Sequence, residues 1–196
     1  RDNPSPYEFY FHQGDYQAAV ASPETLVRRE DDKLLTYPLA GTRRRGKTDK
    51  EDVAFEKELT TSTKELSEHN MLVDLGRNDL GQVSKIGTVK VTSHAHILRF
   101  SQVMHLGSTV ESEAIAQLTA IDLLDAVFPA GTLSGAPKVH ALELIYQHER
   151  ITRWLYGGWF AYFDFNGDWD MALGIRLVCT QQGQAPTHSG AGHMSD

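Results

Sequence analysis

Glu65 and Glu68 stand three residues apart in the stretch Lys64-Glu-Leu-Ser-Glu-His-Asn-Met-Leu-Val-Asp-Leu-Gly-Arg-Asn-Asp79. On a helix such residues are neighbours, with Cβ atoms about 5–6 Å apart. Two carboxylates in one pocket repel unless a cation or a proton lies between them. The spacing thus allows a divalent-cation site or a proton-transfer site, and equally a solvated charged face beside Lys64. His105, in Val103-Met-His-Leu-Gly-Ser108, carries an imidazole able to move a proton near neutral pH. A core histidine bonded to a carbonyl is its plain alternative. Arg176 falls in the apolar run Met171–Cys179 and needs an anion or an acceptor there, which a structural ion pair or a carboxylate substrate would supply.

Two glycine-rich stretches could present backbone N–H groups to an anion. One is Leu39-Ala-Gly-Thr-Arg-Arg-Arg-Gly46, which also reads as a plain surface turn. The other is Phe128-Pro-Ala-Gly-Thr-Leu-Ser-Gly-Ala-Pro-Lys138, whose spacing is not that of a P-loop, because Lys138 follows Gly135 by three. His94 and His96 form an H-x-H pair that serves a metal only with a third ligand. Together these pieces describe a pocket for a small, multiply anionic ligand with a divalent metal. Carboxylate ligands suit Mg²⁺, which often keeps waters and joins the substrate's own oxygens. Glu24, in the breaker Ser22-Pro-Glu24, reads as lying outside this group and as a natural control position.

The elements that must position these residues follow from patterning. Residues 7–12 and 16–21 read as a hairpin across Gly14-Asp15, then Ser22-Pro23-Glu24 starts a helical turn. Lys33–Tyr37 reads as a strand, Leu39–Gly46 as a loop, and 49–75 as helix with a break or a second start near Thr60-Thr61-Ser62-Thr63. In that helix Leu66, Met71, Leu72, Val73 and Leu75 form the apolar stripe, with Glu65, Glu68 and His69 opposite. Asn78-Asp79-Leu80-Gly81 reads as a turn, 87–92 and 97–111 as strands, and 113–127 and 137–149 as helices. Pro137 suits the first helical position, with Ser134 or a neighbour as cap. Residues 156–165 and 169–179 form a hairpin across Asn166-Gly167-Asp168. A strand-like Pro186–Ser189 leads to Gly190-Ala191-Gly192.

The bulk numbers exclude several classes. The 196 residues suit one domain or a piece of a larger protein, and 40% hydrophobic with 23% charged residues is an ordinary globular balance. A net charge of −7, with no basic stripe beyond Arg43-Arg44-Arg45 and Lys47, disfavours nucleic acid and anionic membrane as partners. The single Cys179 excludes an intrachain disulfide or a cysteine zinc site and fits a reducing, cytoplasmic compartment. There is no apolar run long enough to span a membrane.

Several long motifs resemble the chorismate-utilising enzymes. They are Pro38-Leu-Ala-Gly-Thr-Arg43, Lys64-Glu-Leu-Ser-Glu-His69, Met71-Leu-Val-Asp-Leu-Gly-Arg-Asn-Asp79, Val103-Met-His-Leu106, the Phe128–Lys138 loop, Tyr156-Gly-Gly158, Ile175-Arg176 and Gly190-Ala-Gly192. Within that family the large (component I) subunits of anthranilate synthase match best. The resemblance implies an α+β fold of two large, mainly antiparallel sheets packed together with helices outside. It implies Mg²⁺-dependent amination of chorismate, loss of the 4-hydroxyl and elimination of pyruvate to give anthranilate for tryptophan biosynthesis. The ammonia would come from a glutamine amidotransferase partner, component II.

By the same resemblance, Glu68 is a metal ligand, Glu65 the acid/base at the C2 proton, and His105 the group beside the departing hydroxyl. Gly41, Thr42, Thr132, Tyr156, Arg176, Gly190, Ala191 and Gly192 form the chorismate cradle. Pro6, Tyr7 and Glu8 resemble part of a tryptophan feedback site, although Glu8 stands where Met is usual. Ala40 replaces the nucleophilic Lys of aminodeoxychorismate synthases, which favours the anthranilate type; a product stopping at aminodeoxyisochorismate, or a non-catalytic truncated domain, stays open. Arg44 stands where Pro is usual, Trp154 where Gly is usual, and His193-Met194 where an apolar pair is usual. The remaining acidic metal ligands and most of the feedback site lie outside this chain, so as it stands it is expected to be a partial catalytic domain that holds Mg²⁺ poorly and does not turn over.

Overall fold

The computed structural model describes residues 5–150 and 152–181 and the backbone of 193–194. In chain order the elements are β1 Tyr7–Gln13, β2 Tyr16–Ser22, β3 Thr25–Glu30, β4 Lys33–Thr36, β5 Leu39–Arg44, α1 Asp49–Thr61, α2 Thr63–Gly81, β6 Lys90–Arg99 and β7 Val103–Glu113. There follow α3 Ala120–Val127, α4 Gly131–Ser134, β8 Gly135–Ala136, α5 Lys138–His148, β9 Trp159–Phe163, β10 Trp169–Leu173, β11 Leu177–Gln181 and β12 His193–Met194. The contacts divide the chain into two compact units, one of residues 1–26 and 128–196, the other of Val27–Val127.

The second unit is built on β7. One edge of β7 pairs antiparallel with β6, and the other pairs with β5 and β4 in succession, β3 lying beyond β4. Met104, Leu106, Ser108 and Val110 alternate to one face of β7 and are buried there. Met104 and Leu106 close a cluster with Leu59 of α1, flanked by Phe55, Leu66 and Ile97. Helix α1 starts at Thr48, whose side chain caps Glu51 N, and Asp49, Glu51 and Asp52 fill its first turn, where acidic groups suit the helix dipole. The Thr-rich stretch does break the helix: Ser62 ends α1 and caps α2 through Glu65 N.

Several expectations are corrected here. Thr25–Glu30 is a strand, not a helical turn, because it pairs with β4. Leu39–Arg44 is a strand with a bulge at Gly41, because β7 supplies a partner that local sequence does not reveal. Helix α2 runs through Asn78-Asp79 to Gly81. The helix expected from 113 begins only at Ala120, since β7 continues to Glu113 against β4. On α2 the buried positions are His69, Leu72, Val73 and Leu80. His69 therefore lies within the core-facing stripe and not opposite it.

The first unit contains the three-stranded antiparallel sheet β1-β2-β11 and the β9-β10 hairpin. The expected strand 169–179 is interrupted at Gly174–Arg176. Pro137 occupies the N-cap position of α5 rather than its first turn, with no side-chain cap from Ser134. The peptide bonds preceding Pro129 and Pro137 are cis. Among the described residues no helix is long and apolar enough to cross a membrane. The strand-like Pro186–Ser189 lies outside the described residues.

Trp154 has φ of +52° in the turn closed by Tyr156 N–H to Arg153 O, and it is 68% exposed. A left-handed backbone explains why glycine is usual there. Trp154→Gly removes about 1–2 kcal/mol of strain against about 0.5–1 kcal/mol of added chain entropy. The expected outcome in thermal unfolding is a Tm raised by about 2 °C; a lower Tm refutes it.

Candidate active site

The expected site residues divide between the two units. Gly41, Thr42, Glu65, Glu68 and His105 are on the second; Thr132, Tyr156 and Arg176 are on the first, as is the control position Glu24. Gly190, Ala191 and Gly192 lie outside the described residues.

On the second unit, His105 alternates with Met104 and Leu106, so its ring turns away from the cluster they form with Leu59. Its Nδ1 lies 2.9 Å from the carbonyl oxygen of Gly41 and 3.0 Å from Thr42 Oγ1. A carbonyl only accepts, so Nδ1 carries the proton, and Nε2 is left as the nitrogen that takes or gives one. Phe100 packs edge-on against the ring at 5.6 Å. His105 is thus bonded to a carbonyl, as its plain alternative expects.

Gly41 joins His105 to Glu65. Its φ is +65°, and a Cβ there would fall 2.7 Å from Leu59 Cδ1 and 2.9 Å from Glu65 Oε2. Only glycine allows the bulge to turn a carbonyl to His105 while a carboxylate rests against its Cα. Glu65 is held by Arg43 at 3.3 Å, and Arg43 also pairs with Glu58 at 2.9 Å. Glu68, three residues further on, is partly buried on α2.

The basic cluster is not an anion loop. Arg43 holds Glu58 and Glu65. Arg44 lies over the Phe55 ring at 5.3 Å. Arg45 makes a two-pronged bond to Asp52 and donates to Phe100 O. The Arg45 guanidinium and the Gly46 N–H hold the Asp52 carboxyl down at about 2. These arginines clasp β5 to the helices. His94 Nε2 lies 2.9 Å from Asn70 Oδ1 and His96 Nδ1 2.9 Å from Ser93 Oγ. Among the described residues no group of three His, Cys, Asp or Glu could hold a metal. The oxygen donors of Glu65 and Glu68 have the chemistry Mg²⁺ prefers, but they do not by themselves complete a cage.

On the first unit Arg176 is exposed, at φ +50°, in the bend between β10 and β11, and its carbonyl accepts from Ala21 N–H. It is not sealed in an apolar strand, as its surroundings in sequence suggest. It lines an open groove of about 420 Å³ with Glu8, Phe9 and Ala19–Ala21. Tyr7, of the expected feedback segment, bonds Thr25 and Asp170 through its hydroxyl. Tyr156 lies under the Arg153 guanidinium, 5.9 Å from its ring centre.

Glu24 is the residue that sequence reading missed. Burial raises its carboxyl above the ordinary 4.5, while the facing Thr132 hydroxyl and the charge of Arg176 pull the other way. Thr132 Oγ1 is itself buried, without a bond of ordinary hydrogen-bond geometry among the described residues. Two residues assigned to the cradle by resemblance therefore converge on a carboxyl treated as a control. The only signal in sequence was an acidic residue after Ser22-Pro23, where β2 ends.

The fold and these two constellations define a chorismate-type enzyme domain. The family model described as chorismate binding enzyme matches residues 1–196, and the chain belongs to that family. It is 50% identical over 194 residues to anthranilate synthase component 1 of Neisseria meningitidis, covering 99% of this chain and 40% of that protein. The crystal structure of anthranilate synthase component I from Streptococcus pneumoniae superposes with a TM-score of 0.85 at 42% identity, over 93% of this chain and 40% of that one. The menaquinone-specific isochorismate synthase of Escherichia coli gives a TM-score of 0.78 at 25% identity, over 89% and 40%. The chain thus spans about 40% of the length of the relatives it matches.

A folded pKa above the unfolded one means that the Glu24 contribution to stability is complete below pH 4.5 and is lost as pH rises through the raised value. Glu24→Gln removes that loss. The variant is expected to unfold at a Tm that exceeds wild type by a margin growing from pH 4.5 upward; a margin independent of pH refutes the assignment.

Proposed function

We propose that the protein carrying this chain is the large component of an anthranilate synthase. It would aminate chorismate with ammonia, expel the 4-hydroxyl and eliminate pyruvate to yield anthranilate for tryptophan synthesis. The observation that supports this most directly is the His105 Nδ1 contact with Gly41 O at 2.9 Å, which commits one nitrogen and leaves Nε2 to take up a proton and pass it to a departing hydroxyl. Glu65, resting on Gly41 and held by Arg43, is the candidate for proton transfer at C2. Arg176 offers a guanidinium to a carboxylate. Glu24, kept toward its protonated form by burial, is a second carboxyl suited to acid catalysis. Ala40 is 7% exposed and has no group able to attack the ring, which supports the anthranilate reading over an aminodeoxychorismate one.

Glu68 would hold Mg²⁺ together with donors outside the described residues, and the ion would offset the charge of the ring carboxylate. Ammonia would be supplied by a glutamine amidotransferase partner in the cytoplasm. Pro6, Tyr7 and Glu8 would belong to a tryptophan feedback site, of which Glu8 lines the open groove of the first unit.

Two measurements test this. The chain should bind chorismate, and the S. pneumoniae component I in which it replaces the matching segment should produce anthranilate fluorescence with chorismate, Mg²⁺ and ammonium. Loss of one acid/base group costs about 10²–10⁴-fold in rate, so Glu65→Gln, His105→Phe and Glu24→Gln should each fall into that range. Chorismate binding without turnover in the chimera supports a non-catalytic domain instead; no binding overturns the proposal.

A further inference from the structure

His69 is 0% exposed at the centre of the α2 face that packs on β7. A buried imidazole there is costly unless it is bonded, and leucine would fill the same space. What leucine could not do is hold Ser108. His69 Nε2 lies 2.6 Å from Ser108 Oγ, and Ser108, 2% exposed, accepts the Ala95 N–H at 2.9 Å. A serine hydroxyl has one proton. With Ala95 donating into the oxygen, the hydroxyl either gives its proton to Nε2 or accepts one from it, and the contact holds in both tautomers. Ala95 has φ of +48° and sits where the β6–β7 register shifts between Ser93 and His96. Its N–H is freed by the bulge and is satisfied by Ser108. Helix α2 and strands β6 and β7 therefore meet at one oxygen atom.

The position of this junction matters. Ser108 is three residues along β7 from His105. His69 is one helical turn from Glu65 and adjacent to Glu68. Apolar packing is non-directional and resists sliding weakly, whereas a buried hydrogen bond has a narrow range of distance and angle. One turn earlier α2 presents Glu65 to Gly41, and further along Gly76 would bring a Cβ within 3.0 Å of Thr36 Cγ2. The helix has little room to shift without breaking one of these contacts.

We propose that His69 is a positioning residue: through Ser108 it sets the height and rotation of α2 on the sheet, and so the placement of Glu65 and Glu68 relative to Gly41 and His105. The proposal rests on the functional reading of those four residues.

The test uses the whole chain and two readouts. Amide cross-peaks of Gly41, Thr42 and His105 report placement of α2, and titration with chorismate reports its consequence. Ser108→Ala and His69→Phe should move those cross-peaks and weaken chorismate binding about 10- to 100-fold, as loss of a supporting contact does. His69→Gln, which keeps a hydrogen-bonding end, should recover part of both. Ser67→Ala, changing an exposed side chain of α2, should affect neither. A lower Tm with unmoved cross-peaks or unchanged affinity makes His69 merely structural and overturns the proposal. If His69→Phe does not fold, Ser108→Ala decides alone. If wild type fails to bind chorismate, the functional reading falls, and the cross-peaks alone decide the positioning role: moved supports it, unmoved overturns it.

Discussion

Helix α2 carries carboxylates and an imidazole onto a sheet whose facing side is apolar, and every polar group it brings there must meet a partner. That requirement shapes the second unit. Glu65 is met by Arg43 and rests on a residue that has no side chain. His69 is met at Nε2 by Ser108, which also closes the bulge at Ala95, while its buried Nδ1 has no hydrogen-bond partner among the described residues. Burial, followed by the charges of His94 and His96, pushes the His69 imidazole down to about 4. The ring at this junction is therefore neutral at physiological pH, and Nε2 bonds Ser108 Oγ in either tautomer.

The same logic turns an apparent anion loop into a clasp. Three successive arginines in solution would make a basic patch. Here they are divided between carboxylates of α1 and α2, the Phe55 ring and a backbone carbonyl. Their charge is used within the fold, and their effect on the site is indirect: Arg43 orients Glu65, and β5 carries Gly41 and Thr42 to His105. In the first unit Arg176 has the opposite history. It lies in an apolar stretch of sequence but at an exposed bend, where its charge reaches Glu24.

Much of the fold was legible locally. The β1–β2 hairpin follows from alternating aromatic and small residues around Gly14-Asp15, and the α1–α2 break follows from poor helix formers next to a capping Ser62. Elements that depend on a distant partner were not. Residues 39–44 contain Gly41 and two arginines and look like a loop until β7 lies alongside. The helix expected from 113 loses its start because β4 holds Glu113 in a strand. Local propensity is a weak prior that such pairing overrides.

Sequence alone determined the chemical inventory and, through long ordered motifs, the family: the carboxylates of α2, a histidine in a strand, the glycine-rich stretches and an alanine where a lysine would imply another reaction. Residue type and spacing carry that information because helices and strands repeat with fixed periods. Only the tertiary structure decided which nitrogen of His105 is committed, that Glu24 faces Thr132 and feels the charge of Arg176, and that His69 belongs to the core. Those facts depend on burial and on contacts between residues far apart in the chain, such as Gly41 with His105 and His69 with Ser108, and no local pattern encodes such distances.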